Sequence, residues 1–267
     1  MNNPVRSVLV FFAITTMIAW ILWAPACLSP DSSGKKTLYT TILISAGSFS
    51  PLIASLVMVW QEERIPGIKK FLKKGISFRM RGLSWIYLIM VPFAAAAAAI
   101  IGQSKCSMKG SFSLIEHPQY IIPVFFVLML FGGPAGGEFG WRGYALEKMN
   151  AVMDPFFSSI AISVMWCVWQ LPLFIVPGTA QNGTTPGTFF IVSLLVSILM
   201  TALYLRSGSV GLAILQHTLV NLSFGIFLIY VSNCRTVYFI FILAMITGVA
   251  VILEHRRMFP SELKKSR

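Results

Sequence analysis

The chain is predicted to be an all-α membrane protein, a polytopic helix bundle of about eight transmembrane helices, and three observations predict it. Hydrophobic residues make up 56% of its 267 residues and charged ones 11%. Mean hydropathy is +0.77, whereas a soluble domain of this length needs a thicker polar shell. The apolar residues also come in long runs, each approaching the roughly 20 residues that span a hydrocarbon core as a helix. A β-barrel would show short alternating segments instead.

The runs fall near 7–27, 38–60, 83–102, 119–136, 156–177, 188–206, 209–231 and 236–253. The first ends in Ala24-Pro25-Ala26-Cys27, which faintly resembles a signal-peptide or lipoprotein cleavage site. Its basic region is a lone Arg6, the run is long and Pro25 is a poor neighbour for a scissile bond, so it reads as the first span. The third holds six alanines at 94–99, small side chains that let another helix approach closely. The fourth is interrupted near its end by Gly132, Gly133, Pro134, Gly136 and Gly137. The polar stretches between runs, at 28–37, 61–82, 103–118 and 178–187, are too short to fold independently. Residues 1–267 therefore read as a single membrane domain. The stretch from Gly178 to Gly187 is built of turn formers and is expected to be mobile.

A net charge of +12 suggests nucleic acid until the charges are placed. Arg64, Lys69, Lys70, Lys73, Lys74, Arg79 and Arg81 join runs two and three, and Arg256, Arg257, Lys264, Lys265 and Arg267 follow the last run. With eight spans and both termini cytoplasmic, Arg6, Arg142, Lys148 and Arg206 also fall inside, and only Lys35, Lys36, Lys105, Lys109 and Arg235 outside. That is the positive-inside bias. Topology accounts for the basicity, no nucleic-acid partner is called for, and the expected location is a multi-pass membrane protein, in the cell membrane if the source is prokaryotic. The 61–82 segment could also bind anionic lipid heads. Of the cysteines, Cys167 lies within a span as a small apolar residue. Cys27, Cys106 and Cys234 map to the outer side, leaving room for one disulfide among them, and none has metal-ligand spacing.

A charged residue at mid-helix costs about 2.5–3.5 kcal/mol on insertion scales, so polar groups that persist in spans face a partner or a wet cavity. Three places hold such groups. In Gly136-Gly137-Glu138-Phe139-Gly140-Trp141-Arg142-Gly143-Tyr144, Glu138 and Arg142 are four apart with the acid N-terminal, the better order for a helical ion pair. This is either a helix-closing pair or part of a site. In Trp166-Cys167-Val168-Trp169-Gln170-Leu171-Pro172, Pro172 kinks the helix and Gln170 can hydrogen-bond but not act as a base; an interhelical hydrogen bond is the plainer reading. In His217-Thr218-Leu219-Val220-Asn221, the histidine and asparagine share a helix face and can point at one ligand atom. One cavity lined by all three is more economical than three unrelated anomalies.

These residues resemble the CPBP family of intramembrane proteases, which includes type II CAAX prenyl endopeptidases and bacteriocin-processing enzymes. Gly137 to Tyr144, Trp169 to Phe174 and His217 to Asn221 match its motifs in order and spacing, within 132–225. The family's first motif is Glu-Glu-x-x-x-Arg. Here the second acid is Glu138 and the arginine Arg142, but the first acid's position holds Gly137. The second motif ends in histidine, where this chain has Gln170; the third, His-x-x-x-Asn, is intact as His217 and Asn221. The resemblance implies a membrane endopeptidase acting on a membrane-embedded, prenylated or leader peptide. In the family's usual picture the first glutamate and second-motif histidine activate water. The third-motif histidine and asparagine steady the oxyanion, and the arginine holds the acidic motif. Glu138, Arg142, His217 and Asn221 are therefore the expected catalytic set, and Gly137 and Gln170 the degenerate positions. Glu138 would have to leave its arginine, or act through a second water, to replace the missing base. The family is often described as metalloproteases, but catalytic zinc wants three protein ligands and an open position. Glu138 and His217 are the only strong candidates in the spans, with Asn221 a poor third, so no zinc or other cofactor is expected.

Two other readings compete. A catalytically weak or inactive relative would bind a membrane peptide or lipidated tail, in an immunity, chaperone or scaffold role. A transporter would use Glu138, Arg142 and His217 as an ion pathway, but the paired broken helices of inverted repeats are missing from the sequence.

Overall fold

A computed structural model describes residues 3–28, 37–78, 80, 82–105, 116–231 and 233–261. The described residues form helices and turns, with no strand. The helices are α1 (Pro4–Leu28), α2 (Leu38–Ser48), α3 (Ser50–Ile76), α4 (Ser84–Lys105), α5 (Ile121–Phe131), α6 (Pro134–Glu138), α7 (Pro155–Trp169), α8 (Pro186–Ser207), α9 (Val210–Phe227), α10 (Asn233–Leu253) and α11 (His255–Met258). A π-helical stretch, Phe139–Leu146, continues α6, and an α-turn, Glu147–Met149, ends it. Lys35, Lys36, Arg79, Arg81, Cys106, Lys109, Lys264, Lys265 and Arg267 lie outside the described residues.

Seven segments are long and apolar enough to cross a membrane, as expected of an all-α polytopic protein: Pro4–Leu28, Leu38–Ile76, Ser84–Lys105, Pro118–Met149, Pro186–Ser207, Val210–Phe227 and Asn233–Leu253. The expected run at 156–177 differs. Its helix α7 has 15 residues, about 22 Å at 1.5 Å each, and stops at Trp169. Pro172 has no N–H to return to Val168, so the chain tightens into a 3₁₀ turn at Leu171–Ile175.

Polar contacts show which ends of the helices lie together. At one end Ser7 reaches Glu62, Glu62 pairs with Lys148, Lys74 with Glu147, Arg206 and Arg257 with Glu254, and Asp154 with Ser261. At the other, Cys27 at the end of α1 donates to the Pro172 carbonyl at 3.5 Å. Between these two ends run the seven long segments and, shorter than they are, α7 with its 3₁₀ turn.

The alanine run does pack a neighbour: Ala94, Ala95 and Ala98 are fully buried against α8, α9 and α10. The turn-rich stretch 178–187 is pinned rather than loose. Thr179 donates to the Leu173 and Val176 carbonyls, and Asn182 donates to Phe174. Cys234 is disulfide-bonded, and Cys27 and Cys167 are free and half-buried.

Glu254, just past α10, is buried and accepts hydrogen bonds from Tyr87 at 3.0 Å, Arg257 at 2.5 Å and Arg206. Burial alone would raise its carboxyl, but hydrogen bonds from Arg206, Arg257 and Tyr87, with the attraction of Arg206, hold it below the ordinary value of 4.5. A depressed acid stabilises the fold above its unfolded value and loses that contribution as pH falls through the folded one. The melting midpoint of the detergent-solubilised protein should therefore be flat in this contribution down to about pH 4.5 and fall below it. Glu254→Gln should cost about 1–3 kcal/mol at neutral pH and remove this group's share of the acid-side fall, both read from melting curves across pH.

Candidate active site

The segment carrying Glu138 is built for close approach. Gly133, at φ 105°, breaks the chain after α5 in a conformation that favours glycine, and Pro134 opens α6 where its missing N–H costs nothing. A Cβ on Gly140 would lie 2.5 Å from Pro51 Cβ and 2.6 Å from Pro51 O, and one on Gly136 2.6 Å from Ser48 O. Glycine at 136 and 140 thus seats this segment on the α2–α3 junction, bringing Glu138 into the middle of the bundle. The π-helical turns that follow carry Arg142 inward.

Glu138 and Arg142 are both completely buried. Arg142 Nη1 lies 3.1 Å from Glu138 Oε2, the helical ion pair expected from their spacing. The guanidinium is held on other sides too. Its Nη2 donates to Ser197 Oγ at 3.2 Å, Ser197 in turn donates to the Ser159 carbonyl, and the ring of Trp166 lies 5.5 Å away. The second oxygen of Glu138 meets His217, with Oε1 2.7 Å from Nδ1. Trp166 also stands edge-on to the imidazole at 5.2 Å. One carboxylate therefore bridges an arginine on its own segment and a histidine on α9.

An ionised carboxylate can only accept, so in that state Nδ1 is the donor in this contact, and on a neutral ring Nε2 is then free to accept. His217 is largely but not fully buried, and it lines a cavity of about 800 Å³. Gly137, Gln170 and Asn221 line the same cavity. Apolar and aromatic side chains complete the wall, among them Trp141, Trp166, Trp169 and Phe189. The three motifs thus meet in one place, with a difference in roles. Glu138 and Arg142 stand behind the wall, while His217, Asn221, Gly137 and Gln170 form it. Gln170 accepts a hydrogen bond from Gln181 Nε2. A Cβ at Gly137 would meet its nearest neighbour, Trp141 Cδ1, at 3.5 Å, an ordinary contact, so a side chain there is not excluded by the wall.

The donor set does not fit a catalytic zinc. Three protein ligands are needed, and no group of three or more His, Cys, Asp or Glu among the described residues is placed to hold a metal ion. Both Glu138 oxygens, moreover, already face Arg142 and His217. Ser197, Ser159 and Gln181, which brace the site, carry no signal in the sequence: two are serines in apolar runs and the third is one polar residue in a turn.

The family model described as type II CAAX prenyl endopeptidase Rce1-like matches residues 119–223, an interval that contains every residue of this site. The CAAX prenyl protease 2 of Methanococcus maripaludis is 25% identical over 268 residues, which cover 95% of this chain and 96% of that protein.

Removing Arg142 alone leaves the Glu138 carboxylate buried with only His217 beside it. Arg142→Met should destabilise the protein by about 3–5 kcal/mol. Arg142→Met with Glu138→Gln should recover much of that loss, since no lone charge remains; comparing the two variants by thermal melting in one detergent tests the assignment.

Proposed function

We propose that this chain, a membrane protein of the CAAX-protease type related to the Rce1-like endopeptidases, hydrolyses a peptide bond with His217 as general base and Glu138 as the residue that orients it. The observation that carries this reading is the 2.7 Å contact between Glu138 Oε1 and His217 Nδ1 at the wall of a largely apolar cavity. Glu138 need not leave Arg142 to contribute: it acts through the imidazole, as the buried acid of a catalytic triad does. His217 Nε2 takes a proton from water, and the hydroxide adds to the scissile carbonyl carbon. The carbonyl π pair moves onto oxygen, toward which the Asn221 amide can donate. The imidazolium then gives its proton to the leaving nitrogen as the C–N bond breaks, producing an acid and an amine. In this scheme His217 leaves the oxyanion to Asn221 and takes over the role that Gly137 and Gln170 cannot fill.

The substrate that suits the cavity is a membrane-embedded or lipidated peptide. Most of the wall is apolar, and α5, which contributes Val127, Leu128 and Phe131 to it, has no buried residue. A helix so little covered by protein gives a membrane-borne chain a lateral way in. A prenylated tail is one such chain, as the name of the archaeal relative suggests. The basic residues gathered at the end shared by Ser7, Glu62, Glu147, Glu254 and Ser261 favour that end as the cytoplasmic one, with both termini there.

A second reading has support of its own. Gly137 offers no group to move a proton, and Gln170 is engaged with Gln181, so the cavity could hold such a peptide without cutting it. One experiment separates the two. The native protein, His217→Gln, Glu138→Gln and Gly137→Glu/Gln170→His are assayed against membrane-embedded and prenylated peptides. Hydrolysis by the native chain, lost in His217→Gln and reduced about 10²–10⁴-fold in kcat with little change in KM in Glu138→Gln, is the expected outcome. Hydrolysis by the doubly substituted protein alone would overturn the base assignment and make the native chain a binder.

A further inference from the structure

The second half of α3 is an arm with no part in the cavity. Arg64 takes φ 56°, ψ −154° inside α3, a left-handed φ that an arginine seldom adopts. Pro66, two residues on, has no N–H to bond back across this elbow. The membrane-spanning part of the helix ends there, and residues 65–76, Ile-Pro-Gly-Ile-Lys-Lys-Phe-Leu-Lys-Lys-Gly-Ile, leave in a new direction.

At about 100° per residue this arm divides into three sectors. Gly67, Phe71, Lys74 and Gly75 face the protein. Phe71 stacks on Phe139 with centroids 5.6 Å apart, Lys74 pairs with Glu147 at 2.6 Å, and a Cβ on Gly75 would strike the Phe139 ring. Ile65, Leu72 and Ile76 lie within about 40° of one another and are exposed. Lys69, Lys73 and Lys70 follow over the next 120° or about that, also exposed. An apolar stripe beside a lysine stripe is the pattern of a helix lying in the plane of a membrane interface, with acyl chains under one and headgroups beside the other. Among the described residues Glu63, which precedes the arm, forms no ion pair, and the ion-paired acids at this end are engaged elsewhere. Glu62 pairs with Lys148, Glu147 with Lys74 and Glu254 with Arg206 and Arg257. Among the described residues no ion pair engages Lys69, Lys70 or Lys73.

We infer that the arm at 65–76 is a docking surface for anionic phospholipid headgroups, gripped by Lys69, Lys70 and Lys73, with Ile65, Leu72 and Ile76 set into the acyl region. The arm also supports the site from below. Phe71 and Gly75 bear on Phe139, the residue after Glu138. Ser77, one residue past the arm, accepts a hydrogen bond from Ser209, the N-cap of the helix that carries His217. Gly211, on the first turn of that helix, is held so close that a Cβ would lie 2.5 Å from Gly75 O. A headgroup that holds the arm therefore holds both elements whose spacing sets the Glu138–His217 contact. The docking itself is independent of whether the cavity hydrolyses anything.

The test reads backbone amide exchange across 65–76 in the full chain, in nanodiscs of phosphatidylcholine alone and of phosphatidylcholine mixed equally with phosphatidylglycerol. Exchange is expected to slow by about fivefold or more with the anionic lipid, given the attraction of each lysine near a charged surface. The slowing should vanish at high salt, vanish in Lys69→Gln/Lys70→Gln/Lys73→Gln, and survive in Lys69→Arg/Lys70→Arg/Lys73→Arg. Equal exchange in the two lipids, or slowing that persists at high salt or in the glutamine variant, would overturn the inference. Should the glutamine variant fray the arm by itself, the salt series on the native chain and the arginine variant still decide it.

Discussion

The site depends on a single buried carboxylate. An uncompensated Glu138 in the middle of a bilayer-spanning bundle would be costly, and the surrounding structure is arranged so that it is never uncompensated. Arg142 supplies the charge from one helical turn away, and His217 supplies a donor from a helix 79 residues further along. Arg142 then needs partners of its own, which explains why Ser197 and Trp166 stand where they do. Each of these contacts limits where the next group can sit, which gives the network its rigidity.

That rigidity bears on what the chain can do without the first acid of the Glu-Glu-x-x-x-Arg motif it resembles. Of the two partners, His217 lines the cavity and Glu138 does not. In the proposed reaction the carboxylate sets the tautomer and direction of the imidazole, which is the group that meets the substrate. Gly137 and Gln170 are part of the same wall. The apolar surround adds to this, because a hydrogen bond or a developing charge beside apolar walls is weighted more heavily than it would be in bulk solution.

Glycine does the positioning. Gly136 and Gly140 let one helix lie against the junction of two others at distances that no side chain would permit. Without that approach Glu138 would sit too far out to meet α9. The basic arm under Phe139 and beside Gly211 presses on the same elements from the membrane surface, so the fold ties the site to its surroundings at both its centre and its edge.

Much of this was legible in the residues alone. The greasy runs dictated helices because a backbone in hydrocarbon must satisfy its own hydrogen bonds. Glu138 with Arg142, and His217 with Asn221, stood out because polar groups persist there only for a reason. Other features had only a partial signal, as the kink at Pro172 did, or none. The end of α7 at Trp169 reflects how far Pro172 tightens the chain, which hydropathy does not register. The elbow at Arg64 lies in a stretch whose residues read simply as a basic connection. The tethered turn around Thr179 looked loose because its composition, not its partners, was visible. The sequence by itself determined the class of fold and which polar groups had to find partners, since both follow from the cost of placing each residue in lipid. Only the tertiary structure decided that the partner of Glu138 is His217 and that the histidine, not the acid, faces the cavity. Such a contact depends on how helices distant in sequence cross, and periodicity within one helix carries no record of the next.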